Sequence, residues 1–331
     1  MYRSFLFLIS LAAPLFSQPP SVAAFGYTAQ GLTAVAPGQV LTLYVQGLNA
    51  RLDTPSLAPG LPLPTTLAGV SVVLRQSIDG YANPIPVPIL SVVRTPACGN
   101  GSNDLQKRYA VLCAIRVTIQ VPFELAPSCP LCGSLIATSL RAALIVSEGG
   151  VEGTPIAVLP LADQVHVVDP CDVMFVGRQG SPTLLCGPAI THADGTQISR
   201  GNPAKQGEAV TMYVLGLGLT APPSRTGQRS GQADAVNPER FRLGATFEIN
   251  TQAKPIVNPV TGETLPGQFP VKIDYVGIVE GYVGLYQVNF TIPVLPGDSP
   301  SCGPGSPRES NVGISFGTAS GYSGGGICVA R

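Results

Sequence analysis

The chain has 331 residues, 45% of them hydrophobic and 11% charged, so it carries the apolar content for two cores of ordinary domain size and falls outside the disordered class. Lys plus Arg and Asp plus Glu number 19 each, which leaves no net field to attract nucleic acid or anionic lipid. The 38 Gly and 33 Pro point to many short strands joined by turns.

Taken in chain order, Met1-Tyr2-Arg3-Ser4 places one positive charge before an apolar stretch of twelve residues from Phe5 to Phe16, interrupted only by Ser10. That layout predicts a signal peptide. The run is shorter than the roughly 20 apolar residues of a membrane-spanning helix, and no later segment reaches that length. Cleavage after Ser17 or Ala24 fits the small-residue rule, and the absence of Cys in this region predicts a soluble exported product.

Next comes Gly38-Gln-Val-Leu-Thr-Leu-Tyr-Val-Gln-Gly-Leu48, which matches Gly207-Glu-Ala-Val-Thr-Met-Tyr-Val-Leu-Gly-Leu217 at an offset of 169 residues. Val117-Thr-Ile-Gln-Val-Pro122 matches Val288-Asn-Phe-Thr-Ile-Pro293 at an offset of 171. Two distant matches at nearly one spacing predict an internal repeat over about 36–161 and 206–331. Each segment alternates with period two. Leu41, Leu43 and Val45 oppose Thr42 and Tyr44, and Val210, Met212 and Val214 oppose Thr211 and Tyr213. Half-buried antiparallel strands follow, with Leu43 and Met212 as core residues and Thr42 and Thr211 facing outward. Beyond the signal segment, no window shows a helical period free of Pro or Gly.

Between the repeats, His192-Ala-Asp194-Gly195-Thr196 predicts a tight hairpin turn with both central residues at positive φ, within a hairpin at about 187–200 that opens a second domain. The expected organisation is a signal peptide over 1–24, a first immunoglobulin-like β-sandwich over 25–168 and a second over 169–331. The fold class is all-β. If each core is its own cooperative unit, truncating Leu43 lowers one thermal transition and truncating Met212 another.

Eight cysteines suit an oxidising compartment. Nearness in sequence favours Cys98–Cys113, Cys129–Cys132, Cys171–Cys186 and Cys302–Cys328 as structural disulfides. Cys302–Cys328 is the firmest, because these are the only cysteines of the second repeat unit.

The run Asn202 to Gly218, preceded by Ala193-Asp-Gly-Thr196 and followed by Gly281-Tyr-Val-Gly-Leu-Tyr-Gln-Val-Asn-Phe-Thr-Ile-Pro293, resembles the uncharacterised Solibacter C-terminal domain family of exported acidobacterial proteins. Ala36 to Leu48 also resembles the opening strand of bacterial extracellular Ig-like domains of the IPT/TIG type. The resemblance implies an Ig-like fold outside the cytoplasm and brings no catalytic residues with it.

Each chemical candidate has a simpler reading. Gly321-Tyr-Ser323-Gly-Gly325 matches a nucleophile elbow, but no His follows Ser323 and the segment is expected to be a Gly-rich loop before a closing strand. Cys129-Pro-Leu-Cys132 has redox spacing, yet Pro127 and Pro130 crowd it into a loop, and a zinc site lacks its second ligand pair. His166, alternating with valines, is expected on a solvated strand face, and His192 flanks a turn. Asn100 to Asp104 offers oxygens without the ordered spacing of a calcium loop. Tyr44, Tyr213, Tyr282 and Tyr286 either pack under loops or form a contact surface. No catalytic, metal or cofactor residue is assigned. The expected role is a secreted or periplasmic, non-enzymatic interaction or structural protein of the cell envelope, binding an unknown protein or polysaccharide. It involves no nucleic acid and no membrane span after signal cleavage. The alternatives are a carbohydrate-binding module, weakened by the absence of Trp, and a serine hydrolase.

Overall fold

Gly and Pro cut the chain into short extended segments, and the computed structural model is all-β, with a single 3₁₀ turn at Pro238–Arg240 as its only helical element among the described residues. The structure describes residues 19–27, 34–49, 52, 54–78, 81–94, 114–127, 141–172, 174–175, 187–231, 235–247, 256–257, 264–265, 269–297, 299–319 and 321–331. Residues 1–18 of the expected signal segment lie outside them, and its last residues, 19–24, lie inside, with Ser21–Gly26 forming a strand. No helix among the described residues is long and apolar enough to cross a membrane.

In chain order the first sandwich comprises β1 (Ser21–Gly26), β2 (Ala34–Val35), β3 (Val40–Gln46), β4 (Ser56–Leu57), β5 (Thr66–Leu67) and β6 (Val70–Ile78). It continues with β7 (Tyr81–Pro86), β8 (Ile89–Arg94), β9 (Ile115–Gln120), β10 (Arg141–Glu148), β11 (Val151–Glu152) and β12 (Ile156–Pro160). The second comprises β13 (His166–Val167), β14 (Ile190–Thr191), β15 (Ala204–Lys205), β16 (Ala209–Leu215), β17 (Arg242–Phe247), β18 (Ile256–Val257) and β19 (Thr264–Leu265). It ends with β20 (Phe269–Pro270), β21 (Ile273–Ile278), β22 (Leu285–Thr291), β23 (Val312–Thr318), β24 (Gly321–Ile327) and β25 (Val329–Ala330).

The first sandwich sets a front sheet, β1-β3-β9-β8-β4, against a back sheet, β2-β12-β10-β6-β5. In the second, β13-β16-β22-β21 faces β20-β17-β23-β24. Two antiparallel sheets packed face to face in tandem make a pair of immunoglobulin-like sandwiches. A short parallel pair recurs in both: Leu159 lies beside Ala34, and Val329 beside Ala204.

Leu43 and Met212 are fully buried, each in its own core. Leu41, Leu74, Ile119 and Leu144 belong to the same core as the former, and Ile190, Phe241, Tyr286 and Phe290 to that of the latter. The expected period-two exposure holds in the second sandwich, where Val210, Met212 and Val214 are buried between half-buried Thr211 and Tyr213. It fails in the first. Along β3 only Gln46 is exposed, and β9 is buried throughout, so Thr42, expected to face outward, is 0% exposed. The strand phase is as expected, but the polar face is covered. Its hydroxyls pair with each other across the sheet, Thr42 Oγ1 lying 3.1 Å from Thr118 Oγ1.

Candidate functional site

The cover on that face comes from the segment after β13 and from the second sandwich. Leu215 joins the first core, with Tyr213, Leu285, Met174 and Phe175 packed against it. At one end the Gly227 N–H donates to Gln120 Oε1 at 2.7 Å, the Phe123 N–H to Thr226 Oγ1 at 2.8 Å, and the Leu63 N–H to the Gly227 carbonyl at 2.8 Å. Gly284 (φ +63°) approaches so closely that a Cβ there would run into the Gly38 carbonyl oxygen and lie 2.7 Å from Val40 Cγ2.

The connecting segment is fastened to both sides. Toward the second sandwich, the Gln164 N–H donates to the Gly216 carbonyl at 2.7 Å. Buried Asp163 accepts from Thr318 Oγ1 at 2.6 Å and from Arg240 Nη2 at 3.3 Å. Toward the first, the His166 ring stacks on Tyr27 with centroids 3.7 Å apart and planes 5° from parallel. His166 Nε2 and Asp172 Oδ2 share a hydrogen bond of 2.8 Å, and the same Asp172 oxygen accepts the Asp169 N–H at 2.9 Å. Gln39 Nε2 donates to Tyr27 Oη at 2.7 Å while its Oε1 accepts the Ala36 N–H at 2.8 Å. Burial pushes the Tyr27 hydroxyl pKa strongly upward, past the lowering effect of the Gln39 bond, and the Asp172 charge adds to the rise. Burial likewise raises Tyr44 and lowers Arg116, whose charges act on each other in the opposite sense. Both phenols therefore stay neutral.

Beside this layer runs a groove with two lobes of about 710 and 390 Å³. Both lobes share Leu90, Val168, Met174, Phe175, Ala189 and Tyr213. Polar groups enter the larger lobe from Ser91, Thr118, Thr191 and Gln197, and Tyr282 closes the smaller one with 59% of its surface exposed. An apolar concavity with a few polar groups is the usual form of a binding site.

The residues singled out by sequence reading are scattered. His166 is not on a solvated face, because Tyr27 and Asp172 enclose it. His192 is bonded through Nδ1 to Glu208 Oε1 at 2.5 Å and through Nε2 to the Asn202 carbonyl at 3.2 Å. Ser323 sits within β24 instead of a loop, and its Oγ accepts the Val167 N–H at 2.8 Å. A mid-strand hydroxyl held this way is not a nucleophile elbow. Tyr44 and Tyr286 are buried, the latter donating to the Gly218 carbonyl, whereas Tyr282 is exposed. The turn at His192–Thr196 closes through the Gly195 N–H to the His192 carbonyl and the His192 N–H to the Thr196 carbonyl. Gly195 alone takes positive φ (+82°), so one αL residue follows an ordinary turn.

Cys302 and Cys328 form a disulfide with Cα atoms 5.4 Å apart, as expected. Cys171 is also disulfide-bonded, to a partner outside the described residues. Cys98, Cys113, Cys129, Cys132 and Cys186 lie outside them too, as does Asn100 to Asp104. Sequence reading missed Tyr27, Asp163 and Asp172. The six-residue interval from His166 to Asp172 was a signal for the last, but nothing local marks Tyr27 or Asp163 as partners of distant groups.

No family model matches the chain, and no curated protein matches it. Among solved structures, the C-terminal domain of the antigen I/II polypeptide BspA from Streptococcus agalactiae aligns at 10% identity and a TM-score of 0.19, over 95% of this chain and 100% of that one. The Escherichia coli adhesin FdeC aligns at 8% identity and a TM-score of 0.21, over 95% of this chain and 65% of that one. The C-terminal domain of the Streptococcus pyogenes antigen I/II-family protein AspA gives 9% identity and a TM-score of 0.21, over 95% and 100%. At these scores the alignments carry no weight for fold or role, and the fold rests on the strand pairing described above.

Proposed function

We propose that the chain is a secreted, non-catalytic interaction or structural module of the cell envelope or exterior, as its resemblance to the Solibacter C-terminal family implies. One observation carries the reading: the groups best suited to chemistry among the described residues are committed to internal bonds. His166 is held by Asp172 and Tyr27, His192 by Glu208, Ser323 Oγ by a backbone N–H, and Cys302 by Cys328. What the molecule offers outward is the groove between the sandwiches and the loops at their ends.

A polysaccharide is the second reading, favoured by the exposed Tyr282 ring beside a lobe whose neighbour carries hydroxyl and amide groups. A glycan array read alongside an ester-hydrolysis panel tests both. No turnover on esters, with Ser323→Ala indistinguishable from the parent, is the expected result. Turnover lost in Ser323→Ala would overturn the non-catalytic reading. Saturable sugar binding lost in Tyr282→Ala would select the polysaccharide.

A further inference from the structure

Building on the reading of the groove as a surface the molecule offers outward, we propose that it binds a small uncharged amphiphile, an apolar chain ending in a hydrogen-bonding head.

The head end is the larger lobe. On the outward face of the front sheet, Thr42, Thr118 and Ser91 lie in register side by side across β3, β9 and β8. Thr42 and Thr118 bond to each other, and Ser91 stands at the end of the row, where it lines the lobe. Ser91 is only 4% exposed, yet its hydroxyl has no hydrogen-bond partner among the described residues. A hydroxyl buried this way has lost its hydration without replacing it, and a bound donor or acceptor would restore the bond. From the second sandwich, Thr191 and Gln197 form an antiparallel bridge and line the same lobe. Their side chains also have no partner among the described residues. Uncommitted hydrogen-bonding groups of both sandwiches thus meet in one space.

The tail end is the smaller lobe, lined by Val40, Leu215, Val279, Val283 and Leu285. Tyr213 and Tyr282 are the only polar side chains among the described residues on its wall. The two lobes, of about 710 and 390 Å³, meet along shared residues that include Ala189. Each has the size of a small-molecule site, about 300–1,000 Å³.

The division of polarity selects the occupant. No charged residue among the described ones lines either lobe, so an ionised head would lose hydration and gain no counter-ion. A sugar chain running through both lobes would set its hydroxyls against the aliphatic wall of the smaller one. A wholly apolar ligand would leave Ser91 unsatisfied. An apolar chain with an uncharged head suits both ends.

Calorimetric titration of the full chain with 1-O-decylglycerol, an uncharged ether, tests the proposal, with decanoate and glycerol as the charged and tail-free controls. All are added as monomers, below their aggregation concentrations. The expected result is saturable binding of decylglycerol, at least about tenfold weaker binding of decanoate, and none of glycerol. Ser91→Ala breaks no internal bond and should melt no lower than the parent. It should weaken decylglycerol by about threefold to tenfold, the worth of one neutral hydrogen bond. Ala189→Phe, filling the junction of the lobes, should abolish binding with an unchanged β-sheet spectrum. No saturable binding of decylglycerol, decanoate bound as tightly, or binding that neither substitution changes would overturn the proposal. The glycan array and the ester panel use other probes, and decylglycerol has no ester, so this proposal and the non-catalytic reading can fail separately.

Discussion

Thr42 and Thr211 occupy matching places on β3 and β16, and their surroundings give them different weights. Replacing Thr42 by Ala leaves the buried Thr118 hydroxyl without its partner, an expected loss of about 1–3 kcal/mol. Thr211 Oγ1 donates to Asn289 Oδ1 at 3.2 Å on a half-exposed face where water replaces the bond, so Thr211→Ala should cost less than about 0.5 kcal/mol. Urea denaturation of both variants checks the contrast; equal losses would mean the face over Thr42 is wet.

His192 and Glu208 supply a pH signature. Desolvation pulls the His192 pKa down, but the bonds to Glu208 and the Asn202 carbonyl outweigh it and leave the value raised above 6.5. For Glu208, desolvation raises the carboxyl pKa, but the Lys205 N–H and His192 more than offset it and leave the value below 4.5. A raised histidine stabilises below its unfolded pKa and loses that contribution as pH rises through the folded value. A lowered carboxylate contributes above its unfolded pKa and loses the contribution as pH falls through the folded value. Both contributions are present together between about pH 4.5 and 6.5. The Tm difference between the parent and His192→Gln should be largest in that window and shrink toward pH 8. A difference independent of pH would contradict the pairing.

Among the strands, β3, β9, β16 and β22 were legible because alternation over six or seven residues fixes which side chains share a face. The hairpin at His192–Thr196 was legible from Asp-Gly, though the φ of Asp194 was not, since only the closing bonds decide it. Whether a polar face meets water is set by what packs on it. The pattern Leu41-Thr42-Leu43-Tyr44 cannot report Gly227 or Gly284, more than a hundred and fifty residues away. For the same reason Tyr27, the ring partner of His166, and the strand state of Ser323 were out of reach. Gly284→Ala probes that long-range contact: its Cβ meets backbone that cannot yield, at a φ unfavourable for Ala, and the expected cost is about 1–3 kcal/mol. The loss should come with faster amide exchange at Gly38 and Gln120, and an unchanged stability would mean the two sandwiches stand further apart.

Across the whole molecule, the front sheet of the first sandwich serves two contacts. One face closes its own core and the other carries Thr42, Tyr44, Arg116, Thr118 and Gln120, all buried beneath the connecting segment and the second sandwich. Unfolding either unit would expose this polar layer and free Leu215 from the first core, so the two cores should melt together and not as separate transitions. Leu43→Ala and Met212→Ala should each remove about 2–5 kcal/mol by emptying a fully buried position. Scanning calorimetry of the parent and both variants is the most direct measurement of this coupling. One endothermic transition in the parent, lowered as a single peak by either substitution, is the expected result. Two resolved transitions, one shifted only by Leu43→Ala and the other only by Met212→Ala, would contradict it.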